Sequence, residues 1–286
     1  IPHIKSTNIT NVIKNLDKDF LLELLGSRDL KTLSPTHPLA LSISGKNLGL
    51  ERDYEEALQV IDAIEETDDD TTPVYYSLDI SKVGRHQMNG INPQNNKILR
   101  LMVTPTNETL DLNNQNHIDA FWLTIAQASG LYKVEKKNHK DILANIQNEF
   151  LSEYGSVIQD VEEFLESGED LNTSNFPTEL DTQQLSAIVS VAEYNIAKKF
   201  NTPLKTSISF ELDGITNGTA NMLVNHGQGL LSVSEFNNLK RVGLFLGDSE
   251  ATLNSFYGEG NQKDIYEITS EDADSRFNDF IEKKPR

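Results

Sequence analysis

Two short stretches hold side chains whose types and spacing suit chemistry. The first is Phe210-Glu211-Leu212-Asp213-Gly214-Ile215-Thr216-Asn217-Gly218. Strand alternation puts Phe210 and Leu212 on one face and Glu211 and Asp213 on the other. A carboxylate at a strand's end, beside the carbonyl of Gly214, offers hard oxygen ligands of the kind that hold Mg²⁺ next to phosphates. An Asp before a Gly is also an ordinary turn element, and on the residues alone that is the commoner reading. The second stretch is Ser81-Lys82-Val83-Gly84-Arg85, followed by Asn92-Pro93-Gln94. Gly84 permits a turn or the close approach of another backbone, and Arg85 presents a planar donor fork suited to phosphate or a base edge. A hairpin with an exposed Arg is the bland reading, and contact with nucleic acid the sharper one.

Other chemistries lack their residues. Cysteine is absent, which excludes disulfides, thiolate catalysis and Cys-ligated zinc. The six histidines show no HxxxH or HxH spacing, and neither a G-x-S-x-G elbow nor a Gly-rich phosphate loop ending in Gly-Lys-Ser/Thr is present. No run approaches the roughly 18 apolar residues of a membrane span. The Asp68-Asp69-Asp70 triplet reads as a solvated turn, because adjacent side chains in a loop rarely converge on a metal. Trp122, with Phe121, Leu123 and Ile125, reads as core rather than as a stacking platform.

The elements that must position these stretches are mostly helical. Apolar periodicity predicts a helix over 12–25 stopped by Gly26, a Pro/Ser/Gly-rich connection over 34–49, and a helix over 52–66. Residues 74–78 read as a strand, and 98–103 as a strand or a short helix. A Gly/Asn/Pro-rich connection with Gly84, Gly90 and Asn92-Pro93 lies between them. Helices are predicted over 116–129 with Gly130 as the stop, 141–150, 155–166 and 181–200, with a loop over 172–177. A strand over 205–212, a helix over 215–226 and a short helix over 234–240 follow, ahead of a polar tail. The fold class is α+β, mainly helical.

Charge is uneven. The chain of 286 residues has 44 acidic and 25 basic side chains, a net charge of −19, which argues against a generic basic nucleic-acid binder. From Asp141 to Ala197 there are twelve acidic residues and no Lys or Arg, read as solvated helix faces. From Ile80 to Asn107 there are four basic residues, Lys82, Arg85, Lys97 and Arg100, and no acidic one. Phosphate contact needs cations on a backbone that can come close, and this segment coincides with the Gly/Asn/Pro-rich connection.

Several blocks, taken in order, resemble the single-subunit, phage-type DNA-dependent RNA polymerases, and most of all the virion-packaged enzymes of schitoviruses. The blocks are Lys18–Gly26; Val83–Met88 with Asn92-Pro93-Gln94, similar to the family's T/DxxGR element; Thr109–Asn116; Thr202-Pro203-Leu204 leading to Asp213–Gly218, similar to polymerase motif A; and Gly243–Gly247. The resemblance implies a partial right-hand polymerase fold: the region before the palm plus its first strand. It implies that Asp213 binds two catalytic Mg²⁺ ions with help from the Gly214 carbonyl. It also implies that Arg85 contacts the template or the RNA–DNA hybrid, with Gly84 allowing close approach and Lys82 assisting through phosphate. Ser81 stands where the family has Thr or Asp, so no role is carried to it.

On this reading the chain divides into a helical region 1–72, a β-rich element 73–110, a helical region 111–200, a palm strand with motif A 201–247, and an acidic tail 248–286. Motif B, an Arg and a Lys followed by Tyr-Gly, and motif C, a second metal-binding Asp, are not found in the sequence. Together with Ile1 in place of an initiator Met, this leads to the expectation of a polymerase piece that is inactive alone. Its implied partners are single-stranded or hairpin DNA, nucleoside triphosphates, the RNA product and the remaining polymerase segment or a partner subunit. Its implied setting is the phage virion and the bacterial host cytoplasm. A non-catalytic virion or prophage-derived module of the same fold is the alternative.

Overall fold

The computed structural model describes residues 2–30, 37–67, 73–80, 86–105, 109–132, 134, 139–205 and 274. The Asp68–Asp70 turn, the strand and helices expected after Lys205, and the acidic tail lie outside the described residues. The described part is α+β and mainly helical, with small antiparallel sheets. The chain forms two compact units, 1–112 with 148–209, and 113–147 with 210–286.

In the first unit, β1 (Pro2–Lys5) is the middle strand of a three-stranded sheet, between β2 (Val74–Tyr75) and β5 (Val103–Pro105). Ile4 lies opposite Thr104, and His3 opposite Val74. The helices α1 (Thr7–Asn15), α2 (Lys18–Leu24), α3 (Pro38–Glu65), α4 (Lys97–Met102) and α7 (Thr182–Phe200) surround a core that includes Ile9, Ile13, Leu21, Ile61, Leu99 and Ile188. Both α1 and α4 lie against α7. The start of α7 is fixed by a capping box: Gln184 N–H donates to Asp181 Oδ1 (2.7 Å) and Asp181 N–H donates to Gln184 Oε1 (2.9 Å). In the second unit, α5 (Gln115–Ala128) is buried from Ala120 to Ala126. Trp122 is buried and meets Phe121 edge-to-face, as the core reading expects. The helix α6 (His139–Ser167), whose residues 148–167 belong to the first unit, carries the buried stripe Ile142, Ile146, Phe150, Tyr154, Val157 and Val161.

Three expected boundaries are corrected. The helix over 12–25 is two helices, because the Asp17 side chain accepts from Asp19 N–H (3.0 Å) and Phe20 N–H (3.1 Å) and starts α2 afresh. The connection over 34–49 is helical from Pro38. Proline at the first turn starts a helix, His37 Nδ1 accepts from Leu39 N–H (3.2 Å), and Gly45 and Gly49 ride inside α3 with open space around them. The break expected near residues 151–154 does not occur, and Gly155 sits within α6. Residues 98–103 resolve the open choice as the short helix α4 followed by β5.

An ion cluster ties the first segment to α3. Glu65 accepts from Lys14 Nζ (2.6 Å) and from buried Lys5 Nζ (3.3 Å), and Lys14 also reaches Asp62 (3.0 Å). The hydrogen bond from Lys14 holds the Glu65 carboxyl below the usual carboxylate range. Since the folded value is the lower one, this stabilisation is complete above the unfolded carboxylate pKa and is lost as pH falls through the folded value. Glu65→Gln is expected to flatten the fall of the urea midpoint below about pH 5; an acid limb identical to wild type would contradict the assignment. Two glycines give a second expectation. Gly26 has φ +92°, and an added Cβ would lie 2.7 Å from Lys46 Nζ, so Gly26→Ala should cost about 1–2 kcal/mol. Gly49→Ala, with nothing within 4 Å, should gain about 0.5–1 kcal/mol. Urea denaturation of the two variants checks both signs.

Candidate nucleic-acid interface

The basic stretch is organised by one antiparallel ribbon of the first unit, β3 (Leu78–Ile80) paired with β4 (His86–Met88). Leu78 lies opposite Met88, Asp79 opposite Gln87, and Ile80 opposite His86. Lys82, Gly84 and Arg85 belong to residues 81–85, which join these strands and lie outside the described residues. Their covalent neighbours are placed, with Arg85 one residue before His86.

What holds the ribbon is a set of asparagines. Asn92 is fully buried. Its Nδ2 donates to the carbonyls of Met88 (3.0 Å) and Gly90 (2.9 Å), and its Oδ1 accepts from the N–H groups of Gln94 (2.9 Å) and Asn95 (3.1 Å). All four bonding positions of the carboxamide are filled. Gly90, at φ +71°, supplies the left-handed turn this needs. The Gln94 side chain accepts from Met88 N–H (2.9 Å), and Asn89 bonds back to Ser77 and Asp79 across the base of the ribbon.

The knot is tied in turn to the helices. Asn96 caps α4 by accepting from Leu99 N–H (2.8 Å), and its Nδ2 donates to the Asp53 carbonyl on α3 (2.9 Å). Arg100 donates from Nε to Pro93 O (2.7 Å) and from Nη2 to Gln94 O (2.8 Å). Arg100 therefore braces the frame, although its sequence position grouped it with the phosphate-seeking cations. Lys97, at the start of α4, lines a cavity of about 530 Å³ with Lys46, Asp53, Glu179 and Asp181. That mixture of signs does not match a polyanion.

The second candidate site is reached less directly. Leu110 and Leu204 exchange backbone hydrogen bonds, N–H to carbonyl in both directions at 2.9 Å. This pairs Leu110 with Leu204 within the first unit, with Leu204 buried. Glu211, Asp213 and Gly214 lie outside the described residues. Among the described residues no group of three or more His, Asp or Glu side chains is arranged to hold a metal ion, and no helix is long and apolar enough to cross a membrane.

Most acidic side chains of α6 are exposed, as expected of solvated faces. Two acids of α6 and one of α7 do structural work. Buried Asp160 accepts from Asn172 Nδ2 and Asn175 Nδ2 (2.8 Å each), which fixes the 172–177 loop. Buried Glu193 accepts from Asn8 Nδ2 (3.0 Å). Glu162 accepts from Asn195, and burial raises its pKa.

Asn92→Ala would remove four hydrogen bonds at once and leave buried backbone groups unmet. A loss of about 2–3 kcal/mol is expected in urea denaturation, with faster amide exchange at Met88, Asn89, Gln94 and Asn95. A loss below about 0.5 kcal/mol would mean that the knot does not hold the ribbon.

With this geometry in place, comparison with known proteins gives two matches. Residues 1–103 match the family model described as a virion DNA-directed RNA polymerase domain. Over 280 residues the chain is 30% identical to the virion DNA-directed RNA polymerase of Enterobacteria phage N4, covering 92% of this chain and 8% of that protein. The family-model match includes the whole β3–β4 ribbon, the asparagine knot and α4. The chain is therefore similar, along almost its whole length, to a segment of a virion DNA-directed RNA polymerase, the family its own motif blocks resemble.

Proposed function

We propose that this chain is a segment of a phage DNA-dependent RNA polymerase that supplies a template-contacting hairpin and one metal-binding carboxylate to template-directed nucleotidyl transfer. The observation that carries the reading is similarity across 280 residues to a virion DNA-directed RNA polymerase.

In this reading Arg85, with Lys82, holds phosphates of the template strand or of the RNA–DNA hybrid, and Gly84 lets that backbone come close. Asp213 and the Gly214 carbonyl are hard oxygen donors, a set that suits Mg²⁺. Bound Mg²⁺ would supply activation of the RNA 3′-hydroxyl and stabilisation of the leaving pyrophosphate. The chain's own part is to supply the Asp213 carboxylate. Residues for gripping the incoming triphosphate and a second metal-binding Asp would come from the remainder of the polymerase or a partner subunit. The substrates are a single-stranded or hairpin DNA template and nucleoside triphosphates, the product is RNA, and the setting is the virion and then the host cytoplasm.

Two measurements on the purified chain test this. Binding of single-stranded DNA should weaken steeply with salt, and Arg85→Ala should reduce the slope of log K against log salt by about 0.7; an unchanged slope would remove Arg85 from the contact. With Mg²⁺, nucleoside triphosphates and a hairpin template, the chain alone should make no RNA. RNA synthesis by the chain alone would overturn the division of labour proposed.

A further inference from the structure

Asn89 is followed by Gly90 at the turn that leaves β4. An Asn-Gly pair can react with itself, because glycine has no side chain to keep its backbone nitrogen from the preceding carboxamide carbon. Four asparagines lie between His86 and Lys97, at positions 89, 92, 95 and 96, and their surroundings differ. Asn92 is buried and is followed by Pro93, which has no N–H. Asn95 is followed by Asn96, whose N–H donates to the Asn92 carbonyl (3.0 Å). Asn96 is buried and its side chain caps α4. Asn89 and Gly90 are both exposed. The Gly90 N–H has no hydrogen bond among the described residues, and a Cβ added there would meet nothing within 4 Å. The Asn89 carboxamide meanwhile closes the base of the ribbon. Its Nδ2 donates to Asp79 Oδ2 (3.0 Å) and Ser77 Oγ (3.3 Å), beside the bond from Asn89 N–H to the Ser77 carbonyl (3.0 Å).

We propose that Asn89-Gly90 is a self-modification site, where conversion of the carboxamide to a carboxylate opens the base of the β3–β4 ribbon. The Gly90 nitrogen attacks Asn89 Cγ. The Cγ–Nδ2 bond breaks, and Nδ2 leaves as ammonia with the proton from the Gly90 N–H. Water then opens the cyclic imide. Addition at Cγ breaks the new Cγ–N bond and gives aspartate. Addition at the main-chain carbonyl carbon breaks the original peptide C–N bond and gives isoaspartate, with the backbone rerouted through Cγ. Nothing is oxidised or reduced, and loss of ammonia makes the change one-way. Either product carries a carboxylate and has lost the amide donor. In the aspartate product that carboxylate faces Asp79, and like charges so placed on paired strands repel. Isoaspartate instead adds a carbon to the main chain between β4 and Gly90, whose carbonyl accepts from Asn92 Nδ2 (2.9 Å) and Asn95 Nδ2 (3.2 Å). The site is independent of what the ribbon binds.

The test incubates the folded full chain at mildly alkaline pH and follows its tryptic peptide 86–97 over time by tandem mass spectrometry. Asn89 should accumulate aspartate and isoaspartate, while Asn92, Asn95 and Asn96 keep their amides. An Asn89 that stays amide in the folded chain would overturn the site, and its conversion in urea alone would show that the fold protects it. Equal conversion at Asn89 and Asn95 in the folded chain would also overturn it, because the local geometry would then select nothing. Asn89→Asp isolates the consequence. Amide exchange at position 89 should run about tenfold faster than in wild type, from one hydrogen bond lost and one carboxylate repelled. Adding Asp79→Asn should restore the wild-type rate, because donor and acceptor are then interchanged across the same pair. Wild-type exchange in Asn89→Asp would overturn the opening of the ribbon, and so would fast exchange that Asp79→Asn leaves uncorrected.

Discussion

Burial of the Asn92 carboxamide constrains everything around it. A side-chain amide taken wholly out of water must find all its hydrogen-bond partners in the protein. Asn92 finds them in four backbone groups between Met88 and Asn95. Those bonds fix the path of the chain from β4 into α4. Asn96 then transfers that path to α3, and Arg100 braces it from the next turn of α4. A two-stranded ribbon is marginally stable by itself. This one is held because its base is tied to a helical core by groups that cannot be left unpaired. The two strands that residues 81–85 join are therefore fixed to the core.

The same accounting explains how a chain of charge −19 can contain such a surface. Half of its 44 acids lie in residues 141–197 and 248–286, and several of the chain's acids are occupied within the fold: Asp160 by two asparagines, Glu166 by Lys199, Glu65 by Lys14. Fields at the surface are local on the scale of the Debye length, roughly 8–10 Å. A local group of cations in an acidic chain can thus meet phosphate, as the proposed function requires of Lys82 and Arg85.

Much of the fold was legible where one local signal dominated. The Asp181…Gln184 pair announces the start of α7, and Gly130 the end of α5. Misreadings arose where a residue has two local meanings. Pro38 reads as part of a connection and instead opens α3. Gly45, Gly49 and Gly155 each cost a helix only about 1 kcal/mol, less than burial of the apolar stripes beside them returns. Asp17 sits in an apolar periodicity yet caps a new helix. The motif residues Lys82, Gly84, Arg85, Asp213 and Gly214 were legible as chemistry. Their support was not, because the Asn96–Asp53 and Leu110–Leu204 pairings join residues distant in sequence. Arg100 shows the limit most clearly: its charge suggested phosphate, and its guanidinium is spent on two backbone carbonyls.

The central claim is that nucleic acid meets this chain at the braced ribbon and not on the acidic helices. It is tested most directly by placing a photo-crosslinking amino acid at position 82, and separately at exposed position 163 on α6, and irradiating the chain bound to single-stranded DNA. The account predicts a DNA adduct from position 82 that fades as salt is raised, and none from position 163. Equal adducts from both positions, or adducts from 163 alone, would contradict it.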